Sequence, residues 1–181
     1  NFHRFLSSGL LTAFSRAKEK IGFDKNPMSF LFTRKQPHQI SSQPPSKHET
    51  ERNQSLIAHL TDEKAIRPRL YPTDSDFDSI PKSEKPHICI APASVWFTKQ
   101  FPPHKWVELI NQLSADCKIY LIGGPGDKAH CEGIREATQH PDVENLAGQL
   151  SLLQSAALIQ KARMNYVNDS APLHIASATN A

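Results

Sequence analysis

Residues 117–138 read CKIYLIGGPGDKAHCEGIREAT, and this stretch decides the fold. Cys117–Ile122 is a short apolar run rich in β-branched and aromatic residues, which reads as a buried strand. Gly123-Gly124-Pro125-Gly126 ends it, because glycine and proline break regular structure. Asp127 to Thr138 then reads as a helix. The same alternation repeats on either side. Upstream, His87–Ala91 (HICIA) is a strand, and Pro103 to Leu113 is a helix with proline near its start. Downstream, Val143–Leu146 is a short strand. Ser151 to Gln160 is a helix with Ser151 as N-cap. Met164–Val167 (MNYV) is a further strand, and Ala171 to Ala178 opens another helix. Strands alternating with helices imply βαβ units, a parallel sheet and helices on both faces.

Ahead of this block the pattern differs. Residues 71–86 hold three prolines, three aspartates and three serines, and read as an interdomain linker. The expected division is therefore residues 1–80, a first domain with its linker, and residues 81–181, a Rossmann-like domain. In the front part Phe2, Phe5, Leu6, Leu10, Leu11, Phe14, Ala17 and Ile21 recur at helical spacing, with Arg4, Arg16, Lys18 and Lys20 among them. This basic amphipathic helix suits either a core-facing stripe, the commoner case, or a membrane surface. Residues 36–47 are rich in proline and serine and read as a loop, and a helix is expected from Glu49 to Leu60.

Charge is uneven along the chain. Residues 1–70 hold twelve Lys or Arg and six Asp or Glu, whereas residues 71–181 hold nine and twelve. A basic front half fits an anionic partner, or simply a solvated face. Three cysteines, Cys89, Cys117 and Cys131, match no metal spacing and suit a reducing compartment. No apolar run approaches the roughly 20 residues needed to span a bilayer. The chain begins at Asn1 without an initiator Met and stops at Ala181 within a helical pattern, so a fragment cut at both ends is expected.

In an open parallel sheet, ligands bind beyond the carboxyl ends of the strands, and three segments fall there. The loop Pro92–Pro102 offers the hydroxyls of Ser94 and Thr98 and the ammonium of Lys99, which can meet a phosphate as a point charge. In Gly123–Asp127 the glycines let a ligand approach the backbone. That segment lacks the third glycine of a dinucleotide fingerprint and the Gly-Lys-Ser/Thr of a P-loop. Asn168-Asp169-Ser170-Ala171-Pro172-Leu173-His174 leaves a strand and opens a helix, whose free first-turn amides and dipole attract an anion. Ser170 is a suitable N-cap, and Pro172 removes one donor. The bland alternatives are ordinary capping for Asn-Asp-Ser and a core role for His174. Asp169 would repel a diphosphate, which assigns it to sugar hydroxyls or loop amides.

Together these segments resemble family 9 glycosyltransferases, the ADP-heptose:lipopolysaccharide heptosyltransferases. The resemblance rests on Asn168–His174, on Lys99-Gln100-Phe101-Pro102 ahead of a Trp-containing helix, and on Gly123–Asp127. Asn145-Leu146-Ala147-Gly148 followed by Ser151-Leu152 adds to it. Ile21-Gly22-Phe23 and His48–Asn53 match more loosely.

The resemblance implies an α/β fold of GT-B type, two Rossmann-like domains with truncated N-terminal and C-terminal portions. It implies inverting, metal-independent heptosyl transfer from ADP-heptose to the lipopolysaccharide inner core, with no further cofactor. Carried over, Lys99 holds the diphosphate and stabilises the leaving group, with Ser94 and Thr98 nearby. Asp169, Ser170, Ala171 and His174 surround the phosphate and the transferred sugar. Gly124 and Asp127 lie near the nucleoside, and His48 and Arg52 face the acceptor's negative charges.

A cytoplasmic location is implied, with peripheral contact at the inner membrane. No nucleic-acid partner and no metal are expected, and Asp74-Ser75-Asp76 reads as solvated linker. Two departures stand out. Ala171 occupies a position that is glycine in many members. The family's aspartate base, near a first Gly-rich turn, belongs to a segment this sequence does not include. Two alternatives remain at this point, a dinucleotide-dependent oxidoreductase on a similar fold and a non-catalytic nucleotide-binding module.

Overall fold

The computed structural model describes residues 1–38, 40, 47–62 and 64–180. The chain divides into two units, Asn1–Arg67 and Pro68–Ala181.

In the first unit, helix α1 (Leu6–Ala13) precedes two strands, β1 (Ile21–Phe23) and β2 (Arg34–Gln36), which pair in parallel. Helix α1 is shorter than the apolar spacing over Phe2–Ile21 suggests, and its large apolar side chains do not form a buried stripe. Phe5, Leu11 and Phe14 are 70%, 78% and 75% exposed, while the buried residues are Gly9 and Ala13. The helix packs through its smallest residues because its neighbour is a buried polar side chain. Asn26 donates to the carbonyls of His3 and Phe5 at 2.9 and 3.1 Å. A Cβ at Gly9 would sit 2.1 Å from the Asn26 Oδ1.

Helix α2 (Glu49–Gln54) also ends early. Beyond it the backbone changes to i to i+3 bonds (Ile57 N to Gln54 O), and the Ser55 hydroxyl bonds back to the Arg52 carbonyl. Most of the loop expected at 36–47 lies outside the described residues.

The second unit begins at Pro68, not at residue 81, so the linker reading of 71–86 is corrected. Asp74–Ser79 is a helix, α3. Thr73 caps it, accepting from Asp76 N while the Asp76 carboxylate accepts from Thr73 N. This spends Asp76 on a local cap. Leu70 and Ile80 pack into the core, the Leu70 amide donates to Ala178 O, and Lys161 lies over the Phe77 ring.

The rest follows the alternation in the sequence: β3 (His87–Ala91), α4 (Pro103–Gln112), β4 (Lys118–Leu121), α5 (Lys128–Ala137), β5 (Val143–Asn145), α6 (Leu152–Lys161), β6 (Met164–Val167) and α7 (Ala171–Thr179). The four strands are parallel in the order β5-β4-β3-β6. Side chains alternate across the pleat. Ile88, Ile90, Ile119 and Leu121 meet Trp106, Ile110 and Ile134 of α4 and α5. Cys89, Ala91, Tyr120 and Ile122 meet α6 and α7. All three cysteines are buried, and burial pushes the thiols of Cys89 and Cys131 up to about 12, which disfavours the reactive thiolate. Among the described residues no helix is long and apolar enough to cross a membrane.

Helix α6 has the N-cap its sequence promises. Ser151 Oγ accepts from Gln154 N at 3.2 Å and Gln154 Oε1 accepts from Ser151 N at 2.9 Å. Ser151→Ala is expected to lower stability by about 1 kcal/mol. Chemical denaturation measures this as a lower midpoint with an unchanged slope.

Candidate functional site

Chain order runs outward from β3 through β4 to β5, then returns to place β6 on the other side of β3. The loops leaving β3 and β6 therefore diverge from adjacent strand ends, which opens a crevice at that edge.

The β3–α4 loop and the β6–α7 turn are fastened by Asn168. Its buried side chain donates to Pro92 O at 2.7 Å and accepts from Phe101 N at 3.3 Å. Within the loop a 3-10 turn, Phe97–Lys99, is closed by Lys99 N donating to Trp96 O. It aims Lys99 across the crevice, and Lys99 Nζ meets Asp169 Oδ2 at 2.6 Å. Both side chains remain partly exposed, at 42% and 56%. The hydrogen bond and charge of Lys99 hold the Asp169 carboxyl below the usual carboxylate range, and His174 adds a smaller push in the same direction.

Ser170 departs from expectation. It is the N-cap residue of α7, but its hydroxyl caps no amide. It points to Ala93 O and Asn168 O, each at 3.4 Å. The first turn of α7 therefore has no side-chain cap, which leaves its positive end open to an anion. His174 is exposed, which rules out the core-histidine alternative.

The Gly-rich turn leaving β4 is held by Asp127, whose Oδ2 accepts from Gly124 N at 2.8 Å. A Cβ at Gly123 would stand 2.9 Å from that carboxylate oxygen. Gly148 supports the turn from below: its amide donates to Gly123 O, its φ is +76, and a Cβ there would lie 2.8 Å from Pro125 Cα.

These segments enclose a cavity of about 330 Å³. Ser94, Gly124, Asp127, Ser170 and Ala171 line it, over an apolar floor that includes Leu150, Ile159 and Ile175. Five of the nine residues expected at the nucleotide-sugar site thus share one cavity. Lys99, Asp169, Thr98 and His174 are not among its lining residues. Lys99 and Asp169 form the neighbouring ion pair, Thr98 is exposed in the 3-10 turn, and His174 is close enough to Asp169 to act on its charge.

In the first unit, His48 and Arg52 make local bonds. The His48 ring accepts from Thr50 N to cap α2, and Arg52 donates to Lys47 O at 2.9 Å. The residue that sequence reasoning did not single out is Asn168. An asparagine directly after a strand was the available signal, but its partner Pro92 lies 76 residues away.

Three comparisons bear on this arrangement. Lipopolysaccharide heptosyltransferase 3 of Escherichia coli is 33% identical over 97 residues, which is 52% of this chain and 28% of that protein. The structure of E. coli ADP-heptose lipopolysaccharide heptosyltransferase II superposes with a TM-score of 0.81 at 23% identity. It covers 99% of this chain and 59% of its own. A glycosyltransferase family 9 protein from Veillonella parvula superposes with a TM-score of 0.75 at 15% identity, over 94% of this chain and 51% of its own. The structures establish a likeness of fold, and the chain spans only part of each relative. Residues 1–181 match glycosyltransferase family 9 (heptosyltransferase), and the chain belongs to that family.

Proposed function

We propose that this chain carries the donor side of an inverting, metal-independent heptosyl transfer from ADP-heptose to the lipopolysaccharide inner core. The observation that carries this reading is the meeting of Lys99 with the β6–α7 turn at the carboxyl edge of adjacent strands. One ammonium, the uncapped start of α7 and a cavity with an apolar floor stand together there. That combination suits a nucleoside diphosphate: the base and ribose enter the cavity beside Gly124 and Asp127, and the phosphates face Lys99 and the amide of Ala171. A relative of the same fold was solved with ADP-2-deoxy-2-fluoro heptose, which favours this donor class.

In the proposed reaction an acceptor hydroxyl attacks the anomeric carbon from the face opposite the diphosphate. The bond from that carbon to the phosphate oxygen breaks, and its electron pair leaves with ADP. The hydroxyl proton passes to a base that is not among the residues assigned here. Negative charge grows on the departing oxygen, where Lys99 and the α7 terminus oppose it without a metal. His48 and Arg52 are proposed to meet anionic groups of the acceptor. A cytoplasmic location at the inner face of the inner membrane accompanies this reading. Family membership weighs against the oxidoreductase alternative.

Calorimetric titration of the chain with ADP and with NADH tests the proposal. ADP is expected to bind one to one, and the nicotinamide of NADH to add no affinity beyond that of ADP-ribose. Tight NADH binding with no ADP binding would reject it.

A further inference from the structure

The Lys99–Asp169 pair presents a difficulty for any phosphate that binds here, because the ammonium that would hold the phosphate already holds a carboxylate at 2.6 Å. Two features show that Asp169 is not needed to shape the turn. Asn168 fastens it through Pro92 O and Phe101 N, and Ser170 Oγ reaches Ala93 O. Among the described residues the Asp169 carboxylate accepts from no backbone amide, and its recorded partner is Lys99. Of the two earlier assignments, loop amides therefore fall away.

Resting on the diphosphate reading above, we infer that Asp169 is an electrostatic filter: it disfavours a diphosphate with a free terminal phosphate relative to one whose terminal phosphate is esterified. A phosphate oxygen that takes Lys99 must come close to Asp169, since both share one ammonium. An esterified nucleoside diphosphate carries two negative charges and turns an uncharged sugar, with hydroxyl donors, toward the carboxylate. A free one carries nearly a third charge at pH 7, because the second ionisation of a terminal phosphate lies near pH 6. That extra charge meets a carboxylate that Lys99 no longer fully neutralises.

Few donors offset the repulsion. Pro172 lacks an amide hydrogen, and the Leu173 amide is spent on Ser170 O. The site thereby prefers the intact donor over the spent nucleotide and hastens discharge of the latter. The pair is partly exposed, so solvent and salt limit the effect to several-fold, up to about tenfold.

Titration of the chain with ADP and with ADP-ribose tests this, since the two differ in whether the terminal phosphate is esterified. Asp169→Asn is expected to raise the ratio of ADP to ADP-ribose affinity several-fold. The difference is expected to shrink in high salt. Equal change in both ligands, or loss of both, would overturn the filter.

A second measurement needs no variant. The charged groups acting on Asp169 are Lys99 from the β3–α4 loop and His174 from α7. Between pH 7.5 and 5.5 Asp169 stays ionised, because Lys99 holds its carboxyl low, whereas the terminal phosphate of ADP gains a proton. Changes in the protein's own charges act on both ligands alike, so their effect cancels in the ratio. The ratio of ADP to ADP-ribose affinity is therefore expected to rise on acidification, and a constant or falling ratio would reject the filter. Failure of the wild-type chain to bind either ligand instead rejects the diphosphate site itself.

Discussion

A Lys99→Met chain is expected to bind ADP about ten- to hundredfold more weakly than wild type. Hydrogen bonds to charged groups contribute about 1.5–3 kcal/mol, and each 1.4 kcal/mol is a factor of ten. Exposure of Lys99 at 42% argues for the lower part of that range. The loss of its partner argues the other way, because Asp169 is left as an unpaired carboxylate beside the incoming phosphates. Lys99→Arg restores charge but not shape, since the planar fork is broader than an ammonium, so partial recovery is expected. Where turnover is assayed, Lys99→Met is expected to lower it by about 10²-fold or more, because in the proposed transfer the charge acts most on the departing diphosphate. Calorimetry measures the first effect and steady-state kinetics the second. Wild-type affinity in Lys99→Met would remove the ammonium from the site.

The largest expected effect on stability is at Gly148. Gly148→Val meets two separate penalties. Its φ of +76 lies where a β-branched residue is strained, and its Cβ would stand 2.8 Å from Pro125 Cα. That neighbour is backbone, held in the Gly-Gly-Pro-Gly turn by the Gly148 N to Gly123 O bond, and cannot swing aside. Strain and displacement together are expected to cost about 2–4 kcal/mol, a fall in Tm on the order of 10 °C. Gly126 is the natural control, because a Cβ there meets nothing within 4 Å. Gly126→Ala is expected to melt within a few degrees of wild type. Equal melting of Gly148→Val and wild type would contradict the contact between 148 and 125. The same substitution displaces Gly123 and Asp127, so weaker ADP binding should accompany the loss of stability.

Elements whose signal is local were legible. The apolar runs HICIA, CKIYLI and MNYV are strands, and the helices between them begin and end within one or two residues of expectation. The cap at Ser151 needs only Gln154, three residues on. The motif glycines, Lys99 and the Asn168–His174 run were recognisable because their residue types are unusual at strand ends.

What failed were inferences needing a distant partner. Strands β1 and β2 are three residues each, too short to carry a period, and exist through each other. Apolar spacing in α1 could not tell that Asn26 would take the packing position and leave Phe5 and Leu11 outside. Residues 71–86 have the composition of a linker. Their helix is stabilised by burial of Leu70 and Ile80 against α6 and α7, which composition does not record.

The sequence by itself determined an alternating parallel α/β layer and the chemistry available at its strand ends, because hydrophobic period, capping and turn residues act over a few positions. Only the tertiary structure decided that β6 lies beside β3, so that Lys99 reaches Asp169 and Asn168 reaches Pro92. It also turned the Ser170 hydroxyl away from the helix it was expected to cap. Strand order is set by how whole helices cover both faces of a sheet, an energy summed over the fold and present in no single segment.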